Sequence, residues 1–220
     1  MKDNVIVFGS SSELAQEFIK INKSFYRIYT ISQNNAIKSD LNVSSYTKEL
    51  DNIQNFVEKI ENPYILFFNG YLAENRPNYI PNVQEIRKMI DVNYFVPFII
   101  TSNLLSSNFT IKKFVFISSF ASVKHRDKNY IYGVTKKLLE FSISQLKLDN
   151  YLVIRFGKIN TAMSSSHKKS IFEMNKSKAA GKIANLMRSK KKIVYPSKII
   201  FLLSLIIRLI PLKIINLLKI

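Results

Sequence analysis

Tyr132 and Lys136 stand four residues apart in Tyr132-Gly133-Val134-Thr135-Lys136, within a segment whose pattern predicts a helix. That spacing puts both side chains on one helix face. An ammonium near a phenol favours the phenolate, so Tyr132 is expected below the ordinary phenol pKa of about 10. Such a phenol can exchange a proton with a carbonyl or alcohol oxygen near neutral pH. Two serines, Ser118 and Ser119, precede it by fourteen and thirteen residues at the end of an apolar run. A Tyr-x-x-x-Lys alone arises by chance, so its meaning rests on what surrounds it.

A second chemical feature lies at the start of the chain, in Val5-Ile6-Val7-Phe8-Gly9-Ser10-Ser11-Ser12-Glu13-Leu14-Ala15. Gly9 lets the backbone turn sharply at the end of a strand. Small hydroxyl residues and free amides at the helix start that follows can hold a pyrophosphate. Glu13 and Ala15 occupy positions where glycines are usual, so the fingerprint is incomplete. A serine-capped strand–turn–helix would read much the same.

The elements that must position these residues alternate between short apolar strands and helix-length segments, which predicts βαβ units around a parallel sheet. Strands are predicted at residues 5–8, 26–31, 37–41, 64–68, 113–118 and 151–156. Helices are predicted at 13–21, 45–60, 130–146 and 179–189. A long helix is predicted at 83–106, bent or interrupted by Pro97. Residues 157–178, rich in Ser, Thr and Lys, read as a loop with one helical turn. No Pro-, Gly- or Ser-rich linker divides the chain.

In order and spacing, residues 4–163 resemble the short-chain dehydrogenase/reductase family, in its short single-domain branch. The resemblance rests on the Gly9 turn, Asp40-Leu41, Asn69-Gly70, Asp91-Val92-Asn93, the Ile117-to-Ser122 strand end, Tyr132 with Lys136, and Arg155 to Met163. It implies a Rossmann-type, doubly wound α/β fold, with a mainly parallel sheet and helices on both faces. It also implies a carbonyl–alcohol oxidoreductase using NAD(P)(H). Tyr132 would be the general acid/base, and Ser119 rather than Ser118 would hold the substrate oxygen. Lys136 would bind the nicotinamide ribose and tune Tyr132, Asn93 would hold a relay water, and Thr161 would meet the nicotinamide. Gly9, Ser11, Ser12, Glu13, Leu14, Asn69 and Gly70 would line the cofactor, with Asp40 and Leu41 beside the adenine. Phe156 stands where a proline is usual, and Asn69-Gly70 lacks an intervening alanine. At the end of the second strand, Ser32 and Gln33 supply no carboxylate to hold an NAD ribose, which favours NADP(H) over NAD(H).

Bulk properties narrow the alternatives. With 220 residues, 47% of them apolar, the chain has the length and composition for one folded domain. It has no cysteine and two histidines, His125 and His167, so disulfides, thiolate metal sites and histidine-rich metal sites are not expected. The absence of cysteine and of a signal-like N-terminus suits a cytoplasmic protein. A formal charge of +18 would attract anionic lipid, nucleic acid or phosphorylated substrates. No nucleic-acid-binding motif is apparent, so nucleic acid is not the expected partner. The His167-Lys168-Lys169 loop reads as a solvated charge run rather than a phosphate site.

Residues 1–196 thus read as a cofactor-binding domain with an active site, and 197–220 as an apolar C-terminal helical tail. Ser204 with Arg208, and Lys213 with Asn216, give the tail two narrow polar stripes around Pro211, predicting two amphipathic helices. Charges in mid-run argue against a membrane span. Lys190-Lys191-Lys192 upstream favours an anionic membrane surface, on the inner face of the membrane, over a homo-oligomer contact or substrate-pocket cover and over a core helix. Family reductases acting on lipid-linked or surface-polysaccharide sugars look similar in the tail. A sugar-derived or polyprenyl-linked carbonyl or alcohol is therefore the expected substrate. A sugar epimerase or dehydratase, or a non-catalytic nucleotide-sensing or nucleic-acid-binding protein of the same fold, are the rival readings.

Overall fold

Val5, Ile6, Val7 and Phe8 are wholly shielded from solvent in the computed structural model. A strand buried on both faces requires helices above and below a parallel sheet. The structure describes residues 2–73, 79–107, 109–124, 129–165, 173–211 and 214. His125, His167-Lys168-Lys169 and the second predicted tail helix lie outside these.

The chain opens with β1 (Asn4–Phe8), α1 (Glu13–Asn22), β2 (Arg27–Ser32), β3 (Leu41–Asn42) and α2 (Leu50–Glu58). Next come β4 (Tyr64–Phe67), α3 (Val83–Ile90), a π-helical turn (Asp91–Phe95), α4 (Val96–Leu105) and β5 (Lys113–Ser119). After them follow α5 (Tyr130–Gln145), β6 (Tyr151–Phe156), β7 (Ile159–Asn160) and β8 (Met174–Asn175). The last elements are α6 (Lys176–Leu186), β9 (Ile193–Val194) and α7 (Lys198–Leu209).

Among the described residues, seven strands form one sheet in the order β3-β2-β1-β4-β5-β6-β9, every pair parallel. The winding reverses between β1 and β4, and ligands of open α/β sheets bind at the strand ends beside such a reversal. One apolar layer joins the sheet to α1 and α6 through Phe18, Ala180 and Ile183. The opposite layer joins it to α2, α4 and α5 through Ile53, Ile100 and Ile143. Phe8, Phe67 and Phe116 are register neighbours and stack with centroids 5.1 Å apart at each step. This ladder stiffens the strand ends on which the site is built.

Four elements differ from the sequence reading, each for a local reason. The third strand was expected at 37–41, but pairing starts at Leu41. Asp40 instead accepts the Thr30 amide (2.8 Å) and hydroxyl (2.7 Å), a side-chain substitute for a ladder bond. The helix expected at 45–60 begins at Leu50, because Glu49 folds back onto the amides of Ser44 (2.6 Å) and Ser45 (3.4 Å). The long helix expected at 83–106 is interrupted just before Pro97, not at it. The Val96 amide reaches back five residues to the Asp91 carbonyl, and Pro97 falls in the first turn of α4. The helix expected at 179–189 starts at Lys176, capped by Asn175 accepting the Lys178 amide (2.7 Å).

The tail also differs from its expected pattern. Ser204 is fully buried and donates to the Phe201 carbonyl (2.6 Å), whereas Arg208 is exposed. Ser204 therefore belongs to the docked face of α7 and not to a solvated polar stripe.

Gly133 sets the closest approach in this half of the fold. A Cβ there would sit 2.7 Å from the Ala121 carbonyl oxygen, so α5 touches the segment after β5 backbone to backbone. Gly→Ala inside a helix normally stabilises by up to about 1 kcal/mol. Here the sign should reverse. Gly133→Ala should lower stability by about 1–3 kcal/mol, as overpacking does. Urea unfolding checks this, and a stabilised variant would contradict the packing.

Candidate active site

Ser118 and Ser119 end β5, and their hydroxyls go to different partners. Ser118 donates to the Glu140 carboxylate (2.5 Å) and is buried. Ser119 accepts from the Ala121 amide (3.2 Å) and hydrogen-bonds the Tyr132 hydroxyl. Ser119 therefore contacts the Tyr132 phenol, while Ser118 serves the framework. The backbone contact at Gly133 is what brings Tyr132 beside Ser119.

Lys136 follows one turn after Tyr132 and is buried. Its Nζ donates to the carbonyls of Ile117 (3.1 Å) and Asn69 (3.3 Å), at the ends of β5 and β4. Burial depresses its pKa to about 8, partly opposed by the charge of Glu140. The expectation that Lys136 would lower the Tyr132 pKa is not met. Burial pushes the phenol up, with the Ser119 hydrogen bond pulling partly back. The physical reason is aim: the ammonium lies 6.0 Å from the ring centroid and points at two carbonyls.

Asn93 sits in the π turn and is completely buried. Its Oδ1 accepts from the Tyr71 amide (2.8 Å), and its Nδ2 donates to the Tyr71 carbonyl (2.8 Å) and to Thr135 Oγ1 (3.2 Å). The side chain expected to hold a water is thus engaged with protein, strapping the loop after β4 to α5.

The first turn behaves as a glycine must. Gly9 has φ +70°, and a Cβ there would lie 2.9 Å from the Asn69 backbone nitrogen. Its amide donates to Tyr46 Oη (3.2 Å), which itself donates to the Ile31 carbonyl (3.1 Å). Ser12 caps α1 by accepting the Ala15 amide (3.3 Å). Glu13 turns its carboxylate to the Ala162 amide (2.7 Å) and to Lys176 (3.3 Å). The Ala162 bond is the main reason its pKa is lowered. Glu13 thereby ties α1 to the loop after β7.

These groups face one open cleft of about 1760 Å³, beyond the roughly 300–1,000 Å³ of an ordinary small-molecule site. Gly9, Ser11, Ser12, Glu13, Leu14, Gln33, Asn69, Gly70, Ser119, Tyr132, Lys136 and Thr161 all line it. Asn93, Ser32, Asp40 and Leu41 do not. Ser32 is buried and accepts the Asn34 amide (3.0 Å), and Asp40 is taken by Thr30. At that end the walls are Gln33, Asn34, Ser45, Tyr46 and Thr47 instead. Asn69 Oδ1 is buried without a hydrogen-bond partner, an acceptor that a hydroxyl-bearing ligand would satisfy.

Sequence reasoning missed Tyr46 and Glu140, and held a tail covering the cleft, where the α7 side chains now lie, as an alternative to the membrane surface. Glu140 was findable: it lies four residues after Lys136 on the same face, between Leu139 and Phe141, where an exposed carboxylate is unexpected. Among the described residues, no group of acidic or histidine side chains could hold a metal, and no helix is long and apolar enough to cross a membrane.

No protein-family model and no curated protein matches the chain. Solved structures do match it in shape. A short-chain dehydrogenase from Burkholderia cenocepacia J2315, in complex with NADP, is 12% identical with a TM-score of 0.75, over 96% of this chain and 98% of that one. One from Streptomyces avermitilis is 14% identical with a TM-score of 0.71, over 93% and 92%. One from Salmonella enterica serovar Typhi is 15% identical with a TM-score of 0.70, over 90% and 96%. With the sheet order and the β1/β4 cleft already established, this likeness gives the chain the fold of the short-chain dehydrogenases.

Proposed function

We propose that the chain is an NADP(H)-preferring oxidoreductase that interconverts a carbonyl and an alcohol. The observation that carries this reading is the Ser119–Tyr132–Lys136 group facing the same cleft as the Gly9 turn. The cleft suits a dinucleotide: a glycine turn at a helix start, an unpaired buried acceptor on Asn69, and a buried lysine at the far end. The structural neighbour from Burkholderia cenocepacia was determined with NADP, which supports the same cofactor class here.

When bound, the nicotinamide supplies or takes up the hydride. Ser119 and Tyr132 hold the substrate oxygen between their hydroxyls. A phenol kept protonated by burial is a proton donor, so Tyr132 passes its proton to the carbonyl oxygen as the carbon is reduced. The alcohol and a phenolate result, and solvent entering the cleft restores the proton. Lys136, still largely charged at neutral pH, binds the ribose and stabilises the phenolate. Asn93 keeps α5 and the β4 loop in register, and Thr161 contacts the nicotinamide end.

The substrate is a sugar-derived or polyprenyl-linked molecule of surface-polysaccharide synthesis, and the protein works at the anionic face of a membrane. Support comes from α7, whose outer side exposes Ile199, Leu202, Leu205 and Leu209 beside Lys198 and Arg208. Arg87 and Lys88 at the cleft add charge suited to a phosphate.

Tyr132→Phe should cut turnover by about 10²–10⁴-fold, the usual contribution of a proton donor, while NADPH still binds. Steady-state assays with a carbonyl panel and parallel cofactor titration decide this. Activity within a few-fold of wild type would overturn it.

NADPH should bind more tightly than NADH. Gln33, exposed at the cleft just past the end of β2, is where the choice can be moved. Gln33→Arg should widen the preference by pairing with a 2′-phosphate, and Gln33→Asp should reverse it. Calorimetric titration of both cofactors tests this, and tighter NADH binding by the wild type would contradict it.

A further inference from the structure

Helix α7 has two apolar faces with different surroundings. Its inner face carries Ile200, Leu203, Ile207 and Ile210, which line the catalytic cleft, and Ile206 joins them at the rim. The outer face, described above, meets solvent. An element that merely anchored the protein would need only the outer face.

The helix is fastened to the catalytic segment at both ends. Lys124, five residues after Ser119, donates to the carbonyls of Arg208 (3.4 Å) and Ile210 at the α7 C-terminus. Near its N-terminus, the Phe201 ring tilts onto Tyr195 at 5.6 Å. The Tyr195 hydroxyl accepts from Arg155 (2.7 Å), and Arg155 pairs with Glu140 beneath Ser118. The inner face is thus held as a wall of the site.

That wall is chemically one-sided. Its exposed atoms are aliphatic, and Ser204, its one hydroxyl, is buried and bonded to its own helix. Sugar hydroxyls placed against it would find no partner, which is costly, whereas an alkyl chain would only exchange water for carbon. The cleft is also larger than one small molecule needs. Arg87 and Lys88 on α3 are among its lining residues and are exposed, with Lys88 Nζ 4.4 Å from the Tyr71 ring centroid.

We propose that the inner face of α7 is a subsite for the alkyl or prenyl chain of an amphiphile whose anionic headgroup meets Arg87 and Lys88. The assignment rests on the oxidoreductase reading of this cleft and names the part of the substrate that Ser119 and Tyr132 do not touch. The chain lies along Leu203 and Ile207, so α7 forms the substrate wall with one face while the other meets the lipid surface.

Calorimetric titration of the NADPH-loaded, full-length protein with butyl, hexyl, octyl and decyl phosphate tests this, each kept below its micelle concentration. Affinity should rise roughly three- to fourfold per added methylene. Leu203→Gln and Ile207→Gln should flatten the series, whereas Leu202→Gln on the outer face should leave it intact. Because the chain contains no tryptophan, Leu203→Trp adds a unique fluorophore and tests the site without destabilising polar substitutions. Its emission should shift to the blue with decyl phosphate. That of Leu202→Trp should shift only with anionic phosphatidylglycerol vesicles. A flat series in the wild type, or a Leu203→Trp emission that decyl phosphate leaves unchanged, would overturn the subsite. If NADPH fails to bind while the chain-length series persists without it, the redox reading falls and the apolar subsite stands.

Discussion

The carboxylate of Glu140 lies where β5, α5 and β6 meet, and it receives three donors there. Ser118 and Ser122 each give a hydroxyl, and Arg155 gives a two-pronged guanidinium contact at 3.1 Å and 2.5 Å. A buried carboxylate without such partners would cost several kcal/mol, and removing one partner of a buried ion pair typically costs about 3–5 kcal/mol. That penalty makes the arrangement all-or-none. It fixes the end of β5, hence Ser119; the turn of α5 that follows Lys136; and, through Arg155 and Tyr195, the seat of α7. An isosteric apolar cluster could hold these elements as firmly, but it could not also place a negative charge beside Lys136.

That charge matters because the site works against its own burial. Lys136 loses hydration, and two backbone carbonyls and the Glu140 field recover only part of it, so its pKa settles at about 8. Tyr132 is likewise pushed toward its neutral form. The resting site therefore holds a protonated phenol and a cation near its titration point. This is a poised donor rather than a preformed phenolate. Glycines make the spacing attainable: Gly9 lets the first turn press against Asn69, and Gly133 lets α5 press against Ala121.

The sheet was legible in the sequence because parallel strands buried on both faces must be continuous apolar runs, as Val5 to Phe8 and Tyr151 to Phe156 are. Boundaries failed where a side chain replaced a backbone bond: Asp40 on Thr30, Glu49 on Ser44, Asn175 on Lys178. Periodicity carries no trace of such bonds. The Tyr132/Lys136 pairing was legible as a helical spacing, yet its electrostatics were not, since the direction of the Lys136 ammonium is a tertiary fact. The expectation for Asp40 and Leu41 came from a chain-order match, which says nothing about which face of a short edge strand points into the cleft. Asp40 is bonded to Thr30, and neither residue lines the cleft. In the tail, Ser204 read as part of a polar stripe because the surface that buries it is assembled from residues far away in sequence.

The central claim is that burial holds Tyr132 protonated in the free protein. NMR of isotope-labelled tyrosine rings, with Tyr132 assigned through Tyr132→Phe, measures this directly across a pH titration. In the free protein the phenol should titrate above the ordinary value of about 10, because burial disfavours the phenolate. A Tyr132 that titrates below the ordinary value would contradict the account.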